Sequence, residues 1–395
     1  MAEKFLSTKL GLLLNEKCEI NIDKEGETMK PQEITIAGKD YFAWEYEEQT
    51  QIKHKLLAYY WRIWVSKLGK YRDTMFMDCH GGCGAYINSD TQEVEYGSSI
   101  IVDKISSEIN GKREHKNYIC VCENDEGNLA NLKKVWGDQS CSQLCSFKQA
   151  DFNTVLADAK VKKFYTTHPS LFFIDPFGYD LIMKNMANLM VCNGSEILIN
   201  FMFDHMNRFL SLTDLDEQRD AYFGCHDWTD ALVLTGTQRE NFLVELYKRQ
   251  LKETTGAKFV FAYRLCYPGK RHTYYYLIHA TNDIQGIVHM KNSFAGINNG
   301  RMEYLGRYQD ELTLFDMDAY KTAEIEVNVL TPYRGKTITF IALLEDIIEN
   351  VPFIEKDLSE TIAMMENEHK LSVRRVSSKR GRYRDQDEIT FGDCL

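Results

Sequence analysis

Four carboxylates close four apolar or strand-like segments in succession: Asp78 after residues 74–77, Glu123 after 117–122, Asp151 after 145–150 and Asp175 after 171–174. In an open α/β sheet, ligands bind beyond the carboxyl ends of the strands, so side chains at these tips lie where two ligands can meet. The last acid opens Asp175-Pro176-Phe177-Gly178. Asp175 can accept a proton or a hydrogen bond, the Pro176 carbonyl can accept a second, and Phe177 offers a stacking face, a set suited to a flat ring bearing an amine. The plainer alternative is a buried strand that stops at an Asp-Pro turn. The first acid precedes Cys79-His80-Gly81-Gly82-Cys83-Gly84, a glycine-rich turn that lets backbone approach a ligand closely. Glu123 at the second tip suits ribose hydroxyls, because a carboxylate accepts two hydrogen bonds. The glycines lack the G-x-G-x-x-G spacing, which disfavours a dinucleotide.

The cysteines bear on a metal site. Cys79/Cys83 and Cys141/Cys145 are each separated by three residues, but no histidine pair completes a zinc set, so no metal is expected. The odd total of 11 cysteines in a large chain reads as reduced thiols. A formal charge of −11 argues against generic coating of nucleic acid. Yet Lys370, Arg374, Arg375, Lys379, Arg380, Arg382 and Arg384 follow one another with no acid inside the run, a local basic patch that is a candidate phosphate contact or simply a solvated face.

These residues must be positioned by more than one domain, since 395 residues exceed the usual single core. Hydrophobic residues at 44% and charged residues at 27% describe an ordinary globular chain. No run is long enough for a membrane span and the first residues lack a signal pattern, so a cytoplasmic protein with no membrane partner is expected. Residues 1–47 give only a candidate strand at 33–36. Ile52, Leu56, Leu57, Tyr60, Ile63, Trp64 and Leu68 recur at helical spacing, and the Lys53-His54 pair on that helix faces either a site or, by default, solvent. Strands at 74–78, 117–122, 171–174 and 196–203, with a helix at 129–136, indicate a doubly wound parallel sheet. Strands 259–264 and 274–280 form an antiparallel pair closing it. Two helices at 337–350 and 356–368, then strands at 371–376 and 388–391 across a basic turn, describe a winged helix. The expected division is an unassigned segment 1–47, a Rossmann-like domain 48–300, a connector 301–330 and a winged-helix domain 331–395.

The chain resembles the partner proteins of three-Cys-motif radical-SAM proteins, whose core is similar to a class I S-adenosylmethionine-dependent methyltransferase. The resemblance rests on Lys53-His54, Asp78 with Gly82 and Gly84, Gly97-Ser98, the block from Phe173 to Tyr179, Asn200-Phe201-Met202 with Asn207-Arg208-Phe209, and Tyr276-Leu277-Ile278-His279 before Met290-Lys291. It implies a seven-stranded sheet with its last strand antiparallel. It also implies that Asp78, Gly82 and Gly84 form the methionine-side cradle of S-adenosylmethionine, with Glu123 on the ribose and Asp151 on the adenine amine. The acceptor site would be Asp175, Pro176, Phe177 and Gly178, as in methyltransferases that modify exocyclic base nitrogens. The chain departs from the family at Cys79, His80 and Cys83 of the glycine turn, and Ser99 stands where a proline is usual.

The function expected is methyl transfer to an exocyclic amine of a nucleic-acid base, with Arg374, Arg375, Lys379, Arg380, Arg382 and Arg384 on phosphate. Two alternatives come from other classes: a non-catalytic adaptor for a three-Cys-motif radical-SAM protein, and a winged-helix DNA-binding regulator.

Overall fold

The structure, a computed structural model, describes residues 31–36, 38–110, 114–142, 144–176, 178–267, 270, 272–306, 321–376 and 383–393. The N-terminal region contributes strands β1 (Gln32–Ile36) and β2 (Lys39–Glu45). Helix α1 (Glu48–Leu68) follows and buries Leu56, Leu57, Tyr60, Trp61, Trp64 and Val65. Next come β3 (Thr74–Asp78), the short strands β4 (Ala85–Ile87) and β5 (Val94–Tyr96), and α2 (Ser98–Asn110). Strand β6 (Asn117–Glu123) leads to α3 (Glu126–Gln139), and β7 (Cys145–Gln149) to α4 (Phe152–Ala157) and α5 (Ala159–Thr167).

Strand β8 (Ser170–Ile174) carries no polar residue after Ser170, and all five positions are buried. Such a run needs cover on both faces, the signature of a central parallel strand. Strand β9 (Glu196–Phe201) is buried throughout as well. Helices α6 (Phe203–Phe209), α7 (Asp216–Phe223) and α8 (Gly236–Thr255) lead to β10 (Phe259–Cys266) and β11 (Thr273–Thr281), then α9 (Ile284–Ile297) and the two-residue β12 (Glu303–Tyr304).

The main sheet has the order β12-β10-β11-β9-β8-β3-β6-β7. Strands β7, β6, β3, β8 and β9 run parallel, and β11 is antiparallel to both β9 and β10. Seven strands with the last antiparallel are as expected; β12 adds an eighth. The chain leaves β3 toward β6 and β7, then crosses back to β8 on the other side, which puts the topological switch between β3 and β8. Alternating strand residues feed two cores. Phe76, Ile119, Val121, Phe173 and Leu277 pack beneath α1, α2, α3 and α9, while Met77, Cys122, Ile174, Ile199 and Ile278 pack on the opposite face against α4, α7 and α8.

The N-terminal region, where the sequence shows only a candidate strand at 33–36, belongs to a second sheet of order β1-β2-β4-β5. Strand β2 pairs antiparallel with β1 and parallel with β4, forty residues on, and is hard to foresee because its sequence shows no period-two alternation. Asn131 of α3 ties this sheet to the glycine turn: its Nδ2 donates to Phe42 O and Cys83 O, each at 2.8 Å.

In the C-terminal region, residues 337–339 form a strand, β13 (Thr337–Thr339), rather than the start of a helix, because Thr-Ile-Thr pairs with the last strand. Helices α10 (Phe340–Ile347) and α11 (Glu355–Asn367) and strands β14 (Leu371–Arg374) and β15 (Glu388–Phe391) complete a three-stranded antiparallel sheet with two helices. Lys291 of α9 joins this region to the main sheet. Its buried ammonium donates to Ile348 O at 2.8 Å and Val351 O at 2.5 Å and lies 4.2 Å from the Phe261 ring centroid. Burial pushes its pKa well down. The Lys291→Ala variant leaves two buried carbonyls unpaired and a cavity, and should lose roughly 2–5 kcal/mol of stability. A urea midpoint unchanged from the parent protein would contradict that role.

Candidate functional site

The parallel register aligns the strand tips. Asp78 is paired with Phe173 of β8 and Val121 of β6, and Asp175 and Asn200 stand one step beyond the paired Ile174 and Ile199. Asn200, Asp175, Asp78 and Glu123 therefore form a row across β9, β8, β3 and β6 around the switch point. Asp151 stands apart. It is exposed beyond the edge strand β7, where it caps α4 by accepting from Thr154 N at 3.2 Å and also receives Asn153 Nδ2 at 3.0 Å.

The glycine turn connects β3 to β4. Gly82 and Gly84 adopt φ of +62° and +84°, and a Cβ at Gly84 would lie 2.5 Å from Leu132 Cδ1, so only glycine fits there. Gly82 N donates to Glu123 Oε2 at 2.7 Å, and Asp125 N donates to Oε1 at 2.8 Å. Two backbone donors thus fix the Glu123 carboxylate, and each oxygen keeps a lone pair. Burial still raises its pKa. The two unusual residues of the turn go separate ways. Cys83 is fully buried with its thiol on Ala85 O at 3.0 Å, whereas the His80 ring packs on Phe152 at 5.1 Å and accepts the Asp175 backbone N–H on Nδ1 at 3.2 Å. Accepting that bond requires a free lone pair on Nδ1, so the ring is neutral with its proton on Nε2. Burial agrees, lowering the His80 pKa to about 4.

Asp78 is wholly buried, and its Oδ2 accepts from Ser98 Oγ at the start of α2. Its Oδ1 has no hydrogen-bond partner. Burial raises the Asp78 pKa to about 7, with Asp175 and Glu123 adding to the rise. An unpaired buried carboxylate oxygen calls for a donor.

Asp175 is treated differently by its surroundings. Burial alone would raise its pKa, yet Lys53 and Asn200 outweigh burial and hold it below the ordinary carboxylate value. Lys53 Nζ lies 2.5 Å from Oδ2, and Asn200 Nδ2 lies 2.5 Å from Oδ1. Lys53, for which solvent is the default expectation, instead reaches inward from α1 to the tip of β8. His54 beside it is buried too, with Nδ1 3.1 Å from the Tyr46 hydroxyl, and burial depresses its pKa to about 3. Pro176 is buried behind Asp175, and Gly178 turns the chain with φ of +58°, where a Cβ would lie 3.1 Å from His205 Cε1. Phe177 lies outside the described residues.

The basic patch also differs from its sequence appearance. The run contains no acid, but neighbouring elements supply them: Arg374 pairs with Glu388 (Nε to Oε2 2.9 Å), Arg375 with Glu366 (Nη1 to Oε1 2.7 Å), and Lys370 with Glu368 at 2.8 Å and with Glu326. Arg384 is exposed. Lys379, Arg380 and Arg382 lie outside the described residues.

Among the described residues, no three His, Cys, Asp or Glu side chains come together as metal ligands, and no helix is long and apolar enough to cross a membrane.

No family model matches the chain, and no curated protein matches it. Solved structures do align. Trm1 from Pyrococcus horikoshii, in complex with S-adenosyl-L-methionine, aligns over 91% of this chain and 96% of its own at 8% identity and a TM-score of 0.36. A human methyltransferase 10 domain containing protein aligns over 58% and 83% at 12% identity and a TM-score of 0.31. Protein LPL1258 from Legionella pneumophila aligns over 57% and 85% at 12% identity and a TM-score of 0.36. Likenesses this distant leave the strand order and the tip residues to carry the reading.

Lys53 and Asn200 stand in blocks that carry the resemblance, but motif reading gives neither a role in the site. A signal for Asn200 is present in the sequence: it is the polar interruption of a strand as apolar as the one ending at Asp175.

The Asp78 carboxyl has an ordinary pKa of about 3.9 in an unfolded chain, and burial pushes it up to about 7 in the folded one. Between those values the folded protein holds a proton that the unfolded chain has lost, so the Asp78 contribution to stability falls as pH rises from about 4 to about 7 and is constant above. Asp78→Asn should gain on the parent across that window. Denaturation at a series of pH values tests this, and a difference that does not change with pH would count against it.

Proposed function

We propose that this chain is an S-adenosylmethionine-dependent methyltransferase acting on an exocyclic amine of a nucleic-acid base. The observation that carries the reading is the placement of Asp175: a carboxylate at the switch point, held by Lys53 and Asn200, next to a glycine turn whose backbone holds a second carboxylate. S-adenosylmethionine supplies, when bound, a methyl group on a positively charged sulfur.

The residues at hand fit that group. The unpaired Asp78 Oδ1 offers an acceptor to the ammonium of the methionine portion, and Gly82 and Gly84 leave room for close approach. Glu123 keeps lone pairs for two ribose hydroxyls. Asp151, exposed and already capping a helix, is read as the adenine contact through its remaining lone pairs.

On the acceptor side, Asp175 receives an N–H of the target amine. An aromatic amine is a poor nucleophile because its lone pair is shared with the ring, and hydrogen bonds to Asp175 and the Pro176 carbonyl favour a tetrahedral nitrogen. Phe177 is proposed to stack on the ring. Orientation supplies most of the benefit, since aligned partners gain roughly 7–11 kcal/mol over free encounter. A base within a duplex must first be flipped out.

The helix-helix-hairpin at the C-terminus is read as a winged helix. With Arg374 and Arg375 engaged by Glu388 and Glu366, its phosphate contacts fall to Arg384 and, within the basic turn, to Lys379, Arg380 and Arg382.

Titration calorimetry with S-adenosylmethionine, followed by a labelled-methyl screen over tRNA and DNA, tests the reading. Asp175→Ala should abolish transfer while leaving cofactor binding nearly intact; transfer at the parental rate would remove Asp175 from its role. Glu123→Ala should weaken cofactor binding by roughly 10- to 100-fold, the size expected for charge-assisted hydrogen bonds, and unaltered binding would rule out the ribose assignment.

A further inference from the structure

The acceptor half contains a cation to which the proposed function gives no role. Lys53 Nζ lies 2.5 Å from Asp175 Oδ2 and 5.6 Å from the centroid of the Tyr275 ring. A second donor, Asn200 Nδ2, holds the carboxylate on Oδ1 at 2.5 Å, while His80 Nδ1 fixes the backbone beside it by accepting the Asp175 N–H at 3.2 Å. Because a carboxylate only accepts, the Asn200 amide must turn its nitrogen toward Asp175, which fixes the orientation of the whole group. The pair is not sealed. The side chains of Lys53 and Asp175 retain 11% and 24% exposure.

An ammonium has three N–H donors, and Asp175 uses one; the carboxylate oxygens keep further lone pairs. A molecule at the strand tips therefore meets a donor beside an acceptor. This pairing separates two kinds of amine. An alkylamine such as a lysine side chain arrives as a cation and meets the like charge of Lys53, and it has nothing to accept the Lys53 proton. An aminoheterocycle arrives neutral and presents an N–H next to a ring nitrogen lone pair, an N–C=N edge complementary to Asp175 and Lys53 together.

We propose that Lys53 donates to the ring nitrogen adjacent to the amine-bearing carbon, and so restricts the acceptor to aminoheterocycles with an N–C=N edge. The inference rests on the methyltransferase reading and adds the chemistry that selects the substrate. In the transfer, the amine lone pair forms the new N–C bond as the methyl C–S bond breaks, and the C–S electron pair stays on sulfur. The surplus amine proton leaves through Asp175 to solvent, and Lys53 keeps its own protons. Lys53 is thus a specificity residue that touches the base, while Asn200 and His80 are positioning residues that act through Asp175.

The test uses single-stranded oligonucleotides with adenine, cytosine or guanine as the target base. Each is compared with the isosteric deaza base in which the ring nitrogen beside the amine carbon is replaced by C–H. The full-length protein should prefer the parent base in kcat/KM by roughly 10- to 100-fold, the size of a charge-assisted hydrogen bond. Lys53→Met should bring that preference down by the same factor, because any difference in intrinsic amine reactivity is common to both proteins and cancels in the ratio. Transfer to a parent base with the same preference in both proteins overturns the role of Lys53 while the methyltransferase reading stands. Transfer to poly-lysine at a rate matching the best base overturns the restriction. Absence of transfer to every base overturns both the reading and the inference. Should Lys53→Met fail to fold, the parent protein alone decides, since equal use of a base and its deaza analogue overturns the contact.

Discussion

The ion pair between Lys53 and Asp175 is the contact on which the site depends. Asp78, Glu123 and Asp175 end three neighbouring strands with little solvent among them, and like charges so placed raise one another's pKa. The site resolves this by giving each acid a different partner. Glu123 takes two backbone N–H groups. Asp78 takes the Ser98 hydroxyl, with the His80 backbone N–H also favouring its charged form, and burial raises its pKa to about 7. Asp175 takes an ammonium and an amide and stays ionised. One row of carboxylates thereby contains one fixed anion, one backbone-held acceptor and one group able to change charge near pH 7, a division of labour that identical residues acquire only from environment.

The ion pair also constrains the fold. Lys53 reaches the tip of β8 only if α1 lies across the sheet with its register fixed, and α1 is fixed by what it buries on either side of Lys53. Trp61 and Trp64 stack at 5.0 Å, Trp61 Nε1 donates to Ser106 of α2 at 3.0 Å, and Tyr60 bonds Glu196 at the start of β9. The same helix is therefore anchored at the bottom of the sheet by Tyr60 and at the top by Lys53. A one-residue slip would break both contacts and turn the aromatic face away from the core.

How far the chain can be read in advance follows from where each interaction partner lies in sequence. Strands β3, β8 and β9 are legible because a central parallel strand is apolar on both faces and bounded by polar residues, a pattern complete within a few positions. The row of tip acids is legible for the same reason. Strand β2 is not, because Lys39-Asp40-Tyr41-Phe42-Ala43-Trp44-Glu45 lacks a period-two pattern, and of its two partners only β1 is near in sequence while β4 lies forty residues on. The partner of Lys53 escapes sequence reading because helical periodicity separates polar from apolar positions but does not say which polar position faces a buried anion. The basic run between Lys370 and Arg384 misleads in the opposite sense: it lacks acids along the chain, and folding brings Glu326, Glu366 and Glu388 to it. Charge read along a sequence is a statement about neighbours in sequence, whereas a surface potential depends on neighbours in space.

The altered glycine turn follows from the same distinction. Along the chain, His80 and Cys83 interrupt a turn that should approach a ligand, and both therefore look like damage to the cradle. In space, Cys83 faces the interior, and Gly82 and Gly84 keep conformations that favour glycine, as the proposed cradle requires. His80 turns toward the neighbouring strand and receives the Asp175 N–H. The turn after β3 thus braces the segment after β8, so the element expected to hold one ligand also fixes the carboxylate expected to meet the other. A neutral imidazole suits that role, because a protonated ring would have no lone pair for the Asp175 N–H, and burial among apolar side chains such as Phe152 keeps the proton off. On the proposed reading, His80 would couple the two halves of the site, since the turn is joined to the end of β8 by the Asp175 N–H on His80 and by Cys79 N on Phe173 O at 2.9 Å.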